Sequence, residues 1–167
     1  VKLVQQARLN GRIVRTALTK EAWQAINNLW LAMEKSLKRP INARDLPQIL
    51  SQVRQGNELV RGALDGTMLR NDIFNFIQLG TLVERGDNTA RLIYARHFLF
   101  LPSPSVLHQK NGLAHWDMVM SAIGAKRAYN WLHKGRMEGP RVLNFLIADQ
   151  RMPRSLMYFY TNIVRQV

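Results

Sequence analysis

Apolar residues recur at intervals of three and four along almost all of the 167-residue chain, and no stretch between turn signals alternates with the period of two that a strand requires. The pattern predicts an all-α fold, a helical bundle of about seven helices. The first covers about residues 2–17. Thr19 offers a cap for the second, which lasts to Arg39-Pro40 and carries Trp23, Ile26, Trp30, Met33 and Leu37 in strict three-four spacing as a core stripe. Asp45, followed by Pro47 and Gln48, predicts a third helix opened by a capping box. Leu46, Ile49, Leu50, Val53, Val60 and Leu64 should point inward from it, and Gly66 should end it.

Thr67 opens the longest pattern, an uninterrupted central helix over about 67–98 that would be roughly 48 Å long. A loop containing Pro102-Ser-Pro104 and Asn111-Gly112 follows. The next helix carries Trp116, Val119, Met120, Ile123, Tyr129 and Trp131, and Gly135 and Gly139 close it. Pro140 and Pro153 sit where first-turn prolines are tolerated, so helices over about 140–148 and 153–166 finish the chain.

At this length, with 47% hydrophobic residues, the whole of 1–167 reads as a single helical domain able to bury a core without a staple. There are no cysteines, which removes disulfides, thiolate metal sites and a cysteine nucleophile. That absence, and the lack of a signal-peptide pattern, suits the cytoplasm. Uncharged runs are too short to cross a bilayer, and the longest, near 97–109, is broken by Pro102 and Pro104. The chain starts at Val1 rather than Met, which suggests a processed end or a segment left out upstream. Net charge is +13, yet residues 1–83 carry +6 and 84–167 carry +7, with no basic tail. Such an even spread favours a solvated basic exterior over a dedicated nucleic-acid surface, which stays open as an alternative.

Chemistry concentrates in the long helix. Stepping 100° per residue puts Leu69, Ile73, Phe76, Gly80, Val83, Ala90, Tyr94 and Phe98 on one face, with Asp72 and Asp87 among them. Glu84 and Arg91 lie on its flank, while Arg85 points the opposite way. Because the helix is apolar nearly all round, its acids are expected to be buried and paired, Arg91 with Asp87 at i+4 and Arg85 with another helix. Gly80 and Gly86 each cost about 1 kcal/mol against alanine in a helix interior, so a neighbouring backbone or a ligand should approach there. On the first helix, Arg8, Arg12 and Arg15 share a face. With Asn10 they form either a solvated surface or a patch for anionic groups.

The stretch Phe76-Ile-Gln-Leu-Gly80-Thr-Leu-Val-Glu84-Arg85-Gly-Asp87-Asn-Thr89-Ala-Arg91-Leu resembles the signature of the bacterial alpha-E domain family, a helical domain with a Glu-Arg motif. Other blocks agree in family order: Ala7-Arg8-Leu-Asn10-Gly-Arg12, Glu21-Ala-Trp23, Thr67-Met-Leu-Arg70, Trp116, Val142-Leu-Asn-Phe145-Leu and Pro153-Arg154-Ser155. Family members tend to be longer, with an earlier Glu-Arg helix, so the chain reads as a fragment covering the C-terminal part. Gly86 and Thr81 depart from the usual motif. The resemblance implies a setting beside ATP-grasp amide ligases and transglutaminase-like peptidases, with the helical domain binding a peptide or amino-acid substrate or acting as a scaffold. It carries over no established activity.

The cluster of Glu84, Arg85, Asp87 and Arg91, with Arg8, Asn10, Arg12 and Arg70, therefore has two readings. One is an ion network that locks the central helix to its neighbours. The other is a site in which arginine forks hold a carboxylate or phosphate and the acids hold an amine. Acid–base catalysis by Glu84 is a third, but nothing supplies a nucleophile. His97, His108, His115 and His133 are scattered and Glu-x-x-His pairs are lacking, so neither a metal nor a cofactor is expected. With no Gly-rich phosphate loop, ligase chemistry would have to lie in another protein. Arg151 and Arg154 flank Pro153 near a helix start, where Asp149 offers a structural cap.

Overall fold

The computed structural model describes residues 2–38, 40–99 and 107–166, and the fold is all-helical. Among these residues there are eight α-helices and no strand: α1 Lys2–Ile13, α2 Lys20–Ser36, α3 Leu46–Thr67, α4 Asp72–Leu99, α5 Leu107–Ile123, α6 Lys126–His133, α7 Gly139–Ala148 and α8 Leu156–Gln166. None of them is long and apolar enough to cross a membrane. Contacts group the chain into two compact units, Val1–Phe74 and Asn75–Val167.

In the first unit, α1 ends before a single 3-10 turn at Arg15–Ala17, shorter than the 2–17 helix expected. Thr19 caps α2 as its sequence promises, accepting from Ala22 N–H at 3.3 Å. Leu29, Met33 and Ile49 form the buried centre between α2 and α3, with Val4, Leu37, Val53 and Val60 packed around it. The tryptophans of the α2 stripe are only half buried. Gly56 lets the two helices close, since a β-carbon there would overlap Leu29 Cδ1.

Asp45 does not form the capping box. Its backbone is already helical (φ −84°, ψ −20°), so the side chain turns back to accept from Asn42 N–H at 3.4 Å. Leu46 and Leu50 are exposed rather than inward. Gly66 does not end α3 either, and Thr67 closes that helix instead of opening the next. Its hydroxyl donates to Ala63 O at 2.7 Å and shares a 2.6 Å hydrogen bond with Thr19. The long helix starts five residues later, where Asn71 Oδ1 accepts from Phe74 N–H at 3.2 Å.

The second unit is built on Trp116, Met120, Ile123, Ala125, Tyr129, Val142, Phe145, Leu146 and Met152, all buried. Tyr129 lies against Phe145 edge-on and donates its hydroxyl to Arg136 O at 2.8 Å, so its polar end is satisfied. The single helix expected from Trp116 to Trp131 is two. Gly124 adopts a left-handed conformation (φ 73°), breaks the run between α5 and α6, and leaves Trp131 84% exposed. Lys134 and Gly135, both left-handed, end α6. Asn111-Gly112 lies inside α5 rather than in a loop, while Pro102 and Pro104 fall outside the described residues. The last helix begins at Leu156, three residues later than Pro153 suggests, because Ser155 is its cap: the hydroxyl accepts from Tyr158 N–H at 3.0 Å and donates to Asp149 O at 2.6 Å.

Candidate functional site

Which way α4 is turned decides what the Glu-Arg residues can do. Phe74, Leu82 and Thr89 are its buried side chains, and Gly86 packs on Phe159 of α8, where a β-carbon would stand 3.3 Å from the ring. Thr89, 2% exposed, donates its hydroxyl to Arg154 O at 3.1 Å, so α4 is tied to the segment that leads into α8. The face expected to lie inward is turned outward. Phe76 is 73% exposed, Val83 54% and Tyr94 63%, and Gly80 has open space where a side chain would be. The helix has two apolar faces, and the one holding Leu82, Gly86, Thr89 and Ile93 won the core. Phe98 has no described side chain.

The charges follow that rotation. Glu84 and Asp87 are exposed and Arg85 is half buried. Arg91 Nε meets Asp87 Oδ2 at 2.7 Å on the open helix surface, with the two side chains 77% and 57% exposed. The hydrogen bond to Asp87, aided by its charge, raises the pKa of the Arg91 guanidinium above the ordinary value. Among the described residues neither Glu84 nor Arg85 forms an ion pair, and none joins the cluster to another helix. The expected locking network is therefore absent there. Water solvates these side chains well enough that no buried partner is needed.

The other nominated residues lie in the first unit, and all but Arg12 make contacts there. Arg8 Nε donates to Asn27 Oδ1 at 2.8 Å and so fastens α1 to α2. Asn10 accepts from Gln6 at 2.9 Å, Arg12 is exposed, and the Arg15 guanidinium stacks over Trp23, 5.6 Å from the ring centre. Arg70 donates to Asp65 O at 2.6 Å, placing a cation at the C-terminal end of α3, and lies 3.9 Å over the Phe74 ring.

Beside the α4 charges there is an apolar pocket of about 400 Å³, lined by Ala90, Ile93 and Tyr94 of α4 with Trp116, Leu143, Ile147 and Leu156. Within the second unit it continues the outward apolar stripe of α4 and could receive an apolar side chain. Among the described residues no group of three His, Asp or Glu side chains is placed to hold a metal ion. His133 packs at a tilt against Tyr129 and edge-on against Phe145, and the side chains of His97 and His108 lie outside the described residues. Asp149, expected as a helix cap, instead accepts from the Arg151 guanidinium at 2.8 and 3.0 Å and from Arg151 N–H at 2.9 Å. The guanidinium contact, helped by the N–H and the charge, holds its carboxyl below the usual range against the opposing effect of burial.

Sequence reasoning placed Thr89, Arg154 and Ser155 in motif blocks but missed the bond from the Thr89 hydroxyl to Arg154 O, which joins the long-helix block to the Pro153-Arg154-Ser155 block. A helical threonine can bond its own preceding turn, as Thr81 does with Ile77 O at 3.1 Å, so the residue type alone does not reveal a tertiary bond. The exposed, mixed apolar and ionic face of α4 excludes little water. It is suited to docking rather than to acid–base chemistry, which gains from a closed site.

A family model named Alpha-E, described as a predicted alpha-helical domain with a conserved ER motif, matches residues 1–167. No curated protein and no solved structure matches the chain.

Proposed function

The chain belongs to the Alpha-E family, and from that premise we propose that it is a non-catalytic binding or scaffolding component of a bacterial amide-ligase or peptide-modification system. Its contact surface in this reading is the outward face of α4. The observation that supports it is the exposure of Glu84, Asp87 and Arg91 beside Phe76, Val83 and Tyr94, with an apolar pocket at one end. Large apolar residues bordered by charges are what a recognition surface needs, an apolar anchor within a polar rim. The partner expected on it is an ATP-grasp ligase or a transglutaminase-like protein, or a peptide that such a protein handles. The sequence carries no Gly-rich phosphate loop, so in this reading the activation step belongs to that partner.

The test is a titration of the purified ligase from the same system into the chain, followed by calorimetry. Binding should weaken at least tenfold in Val83→Glu, which puts a charge into the apolar stripe, and in the paired change Glu84→Gln with Arg91→Gln. Unaltered affinity in both variants would remove α4 as the contact. The net charge of +13 favours one second reading, nucleic-acid binding. It requires affinity for duplex DNA that falls with salt at a slope of about 0.9 per phosphate neutralised. Salt-insensitive or absent binding would dismiss it.

A further inference from the structure

Along the outward face of α4, Phe76, Gly80, Val83, Asp87, Ala90 and Tyr94 follow one another at intervals of four, three, four, three and four, and all six are exposed. That alternation is the seven-residue repeat with which one helix presents a continuous seam to a second helix lying along it. On a straight helix such a seam drifts by only about 20° per repeat, so between Phe76 and Tyr94 it stays on one face. Its inner flank is closed by the core, where Leu82 and Thr89 are buried and Gly86 packs on Phe159. Its outer flank carries Glu84 and Arg91, seven residues apart on one line and both exposed. Asp87 holds Arg91 from its own helix at 2.7 Å, while the Glu84 carboxylate forms no ion pair among the described residues. Gly80, with open space where a side chain would be, and the small Ala90 put little bulk between this helix and a neighbour.

We propose that a second copy of this chain lies antiparallel on this face, α4 against α4, with Glu84 of each copy paired to Arg91 of the other. The proposal rests on the reading of that face as a contact surface and names what covers it when the chain is by itself. The charges decide the orientation. In a two-fold pair of parallel helices each outer flank faces the opposite flank of the partner, and here that flank is Leu79, Gly86 and Ile93, without a charge. Antiparallel helices bring like flanks together. A two-fold axis between Asp87 and Asn88 then sets Glu84 level with Arg91 of the second copy, and Arg91 with its Glu84, in two pairs about 10 Å apart along the seam. Sliding the helices by one repeat sets Glu84 against Glu84 or Arg91 against Arg91, so repulsion guards the register that attraction selects. In that register Val83 lies by Tyr94 of the second copy and Ala90 by its Asp87, which covers apolar surface towards both ends and faces the aspartate with a small side chain. Asp87 keeps its bond to Arg91 of its own helix, so each Arg91 is held between two carboxylates. Two copies of a chain of net charge +13 repel over most of their surface, whereas Glu84, Asp87 and Arg91 sum to −1. A single-helix seam belongs with weak, reversible interfaces, with a dissociation constant of roughly 10–100 μM, so the chain is monomeric in dilute unfolding measurements.

The test is sedimentation equilibrium of the whole chain alone, up to about 500 μM, which should show a monomer–dimer equilibrium. Glu84→Arg and Arg91→Glu each set like charges together twice and should weaken the dimer at least tenfold, with circular dichroism reporting that each variant is folded. Mixing the two variants in equal amounts should restore association, because each then meets in the other the opposite charge that its own copies lack. Spin labels on Phe76→Cys, in a chain with no cysteine of its own, should stand about 35 Å apart in the antiparallel pair, against about 10 Å in a parallel one. A monomer at every concentration, variants that associate as the unmodified chain does, a mixture that stays monomeric, or the shorter label distance would each overturn the proposal. The ligase titration is read separately. A monomeric chain that still binds the ligase through α4 overturns the dimer and leaves the docking reading standing. A dimer that responds to the charges as described, beside ligase binding that ignores the α4 variants, removes the docking reading and leaves the dimer.

Discussion

Gly86 and Val83 stand one turn apart on the same helix and live under opposite constraints. Gly86 has the Phe159 ring against it, while Val83 is more than half exposed. Around the first are Leu82 and Thr89, fixed by burial and by the bond to Arg154 O. Around the second are Phe76, Tyr94 and the charges Glu84, Asp87 and Arg91, all of them exposed. One α-helix thus carries a face that holds the fold and a face that the fold leaves open. Apolar character alone does not tell them apart.

The contrast is broken most severely from the inner side. Phe159→Ala should cost about 3–5 kcal/mol in denaturant unfolding, because it empties the space that Gly86 and Phe159 share. Gly86→Val should cost about 1–3 kcal/mol, since its added carbons have no room beside the ring. Thr89→Val keeps the shape and leaves Arg154 O without its donor inside the protein, for a loss of about 1–2 kcal/mol. On the outer side the expected effects fade. Val83→Glu should leave stability within about 0.5 kcal/mol while removing partner affinity, a separation the inner-face variants cannot show.

A smaller effect sharpens the comparison through pH. Asp149 is held below its ordinary pKa by Arg151, so its contribution is present above the unfolded value, near pH 4, and is lost as pH falls through the folded one. Unfolding measured between pH 6 and pH 3 should show this loss in the unmodified chain and a flatter profile in Asp149→Asn. Asp87 pairs with Arg91 on open surface, and Asp87→Asn should change unfolding stability by no more than about 0.5 kcal/mol.

Much of the architecture was legible in the residues themselves. The three-four spacing of α2, its Thr19 cap and the first-turn prolines Pro47 and Pro140 all carry local physics, and α2, α3 and α7 stand where these signals place them. What was not legible depends on partners far along the chain. Both faces of α4 repeat every three to four residues, so only the helix that packs on Gly86 decides which one is buried. Trp116 to Trp131 read as one pattern because Gly124 does not disturb periodicity until it turns left-handed. At Asp45 the residue types fit a capping box, and the backbone angle forbade it. The candidate site suffered the same way: the burial of Glu84, Asp87 and Arg91 was inferred from the wrong face.

The measurement that reaches the central claim most directly is urea unfolding of Glu84→Gln beside the unmodified chain. If the Glu-Arg face is open surface kept for contact, the midpoint and slope should coincide within about 0.5 kcal/mol. A loss of about 3 kcal/mol or more, the size expected when one member of a buried ion pair is removed, would contradict the account and make Glu84 a structural clamp.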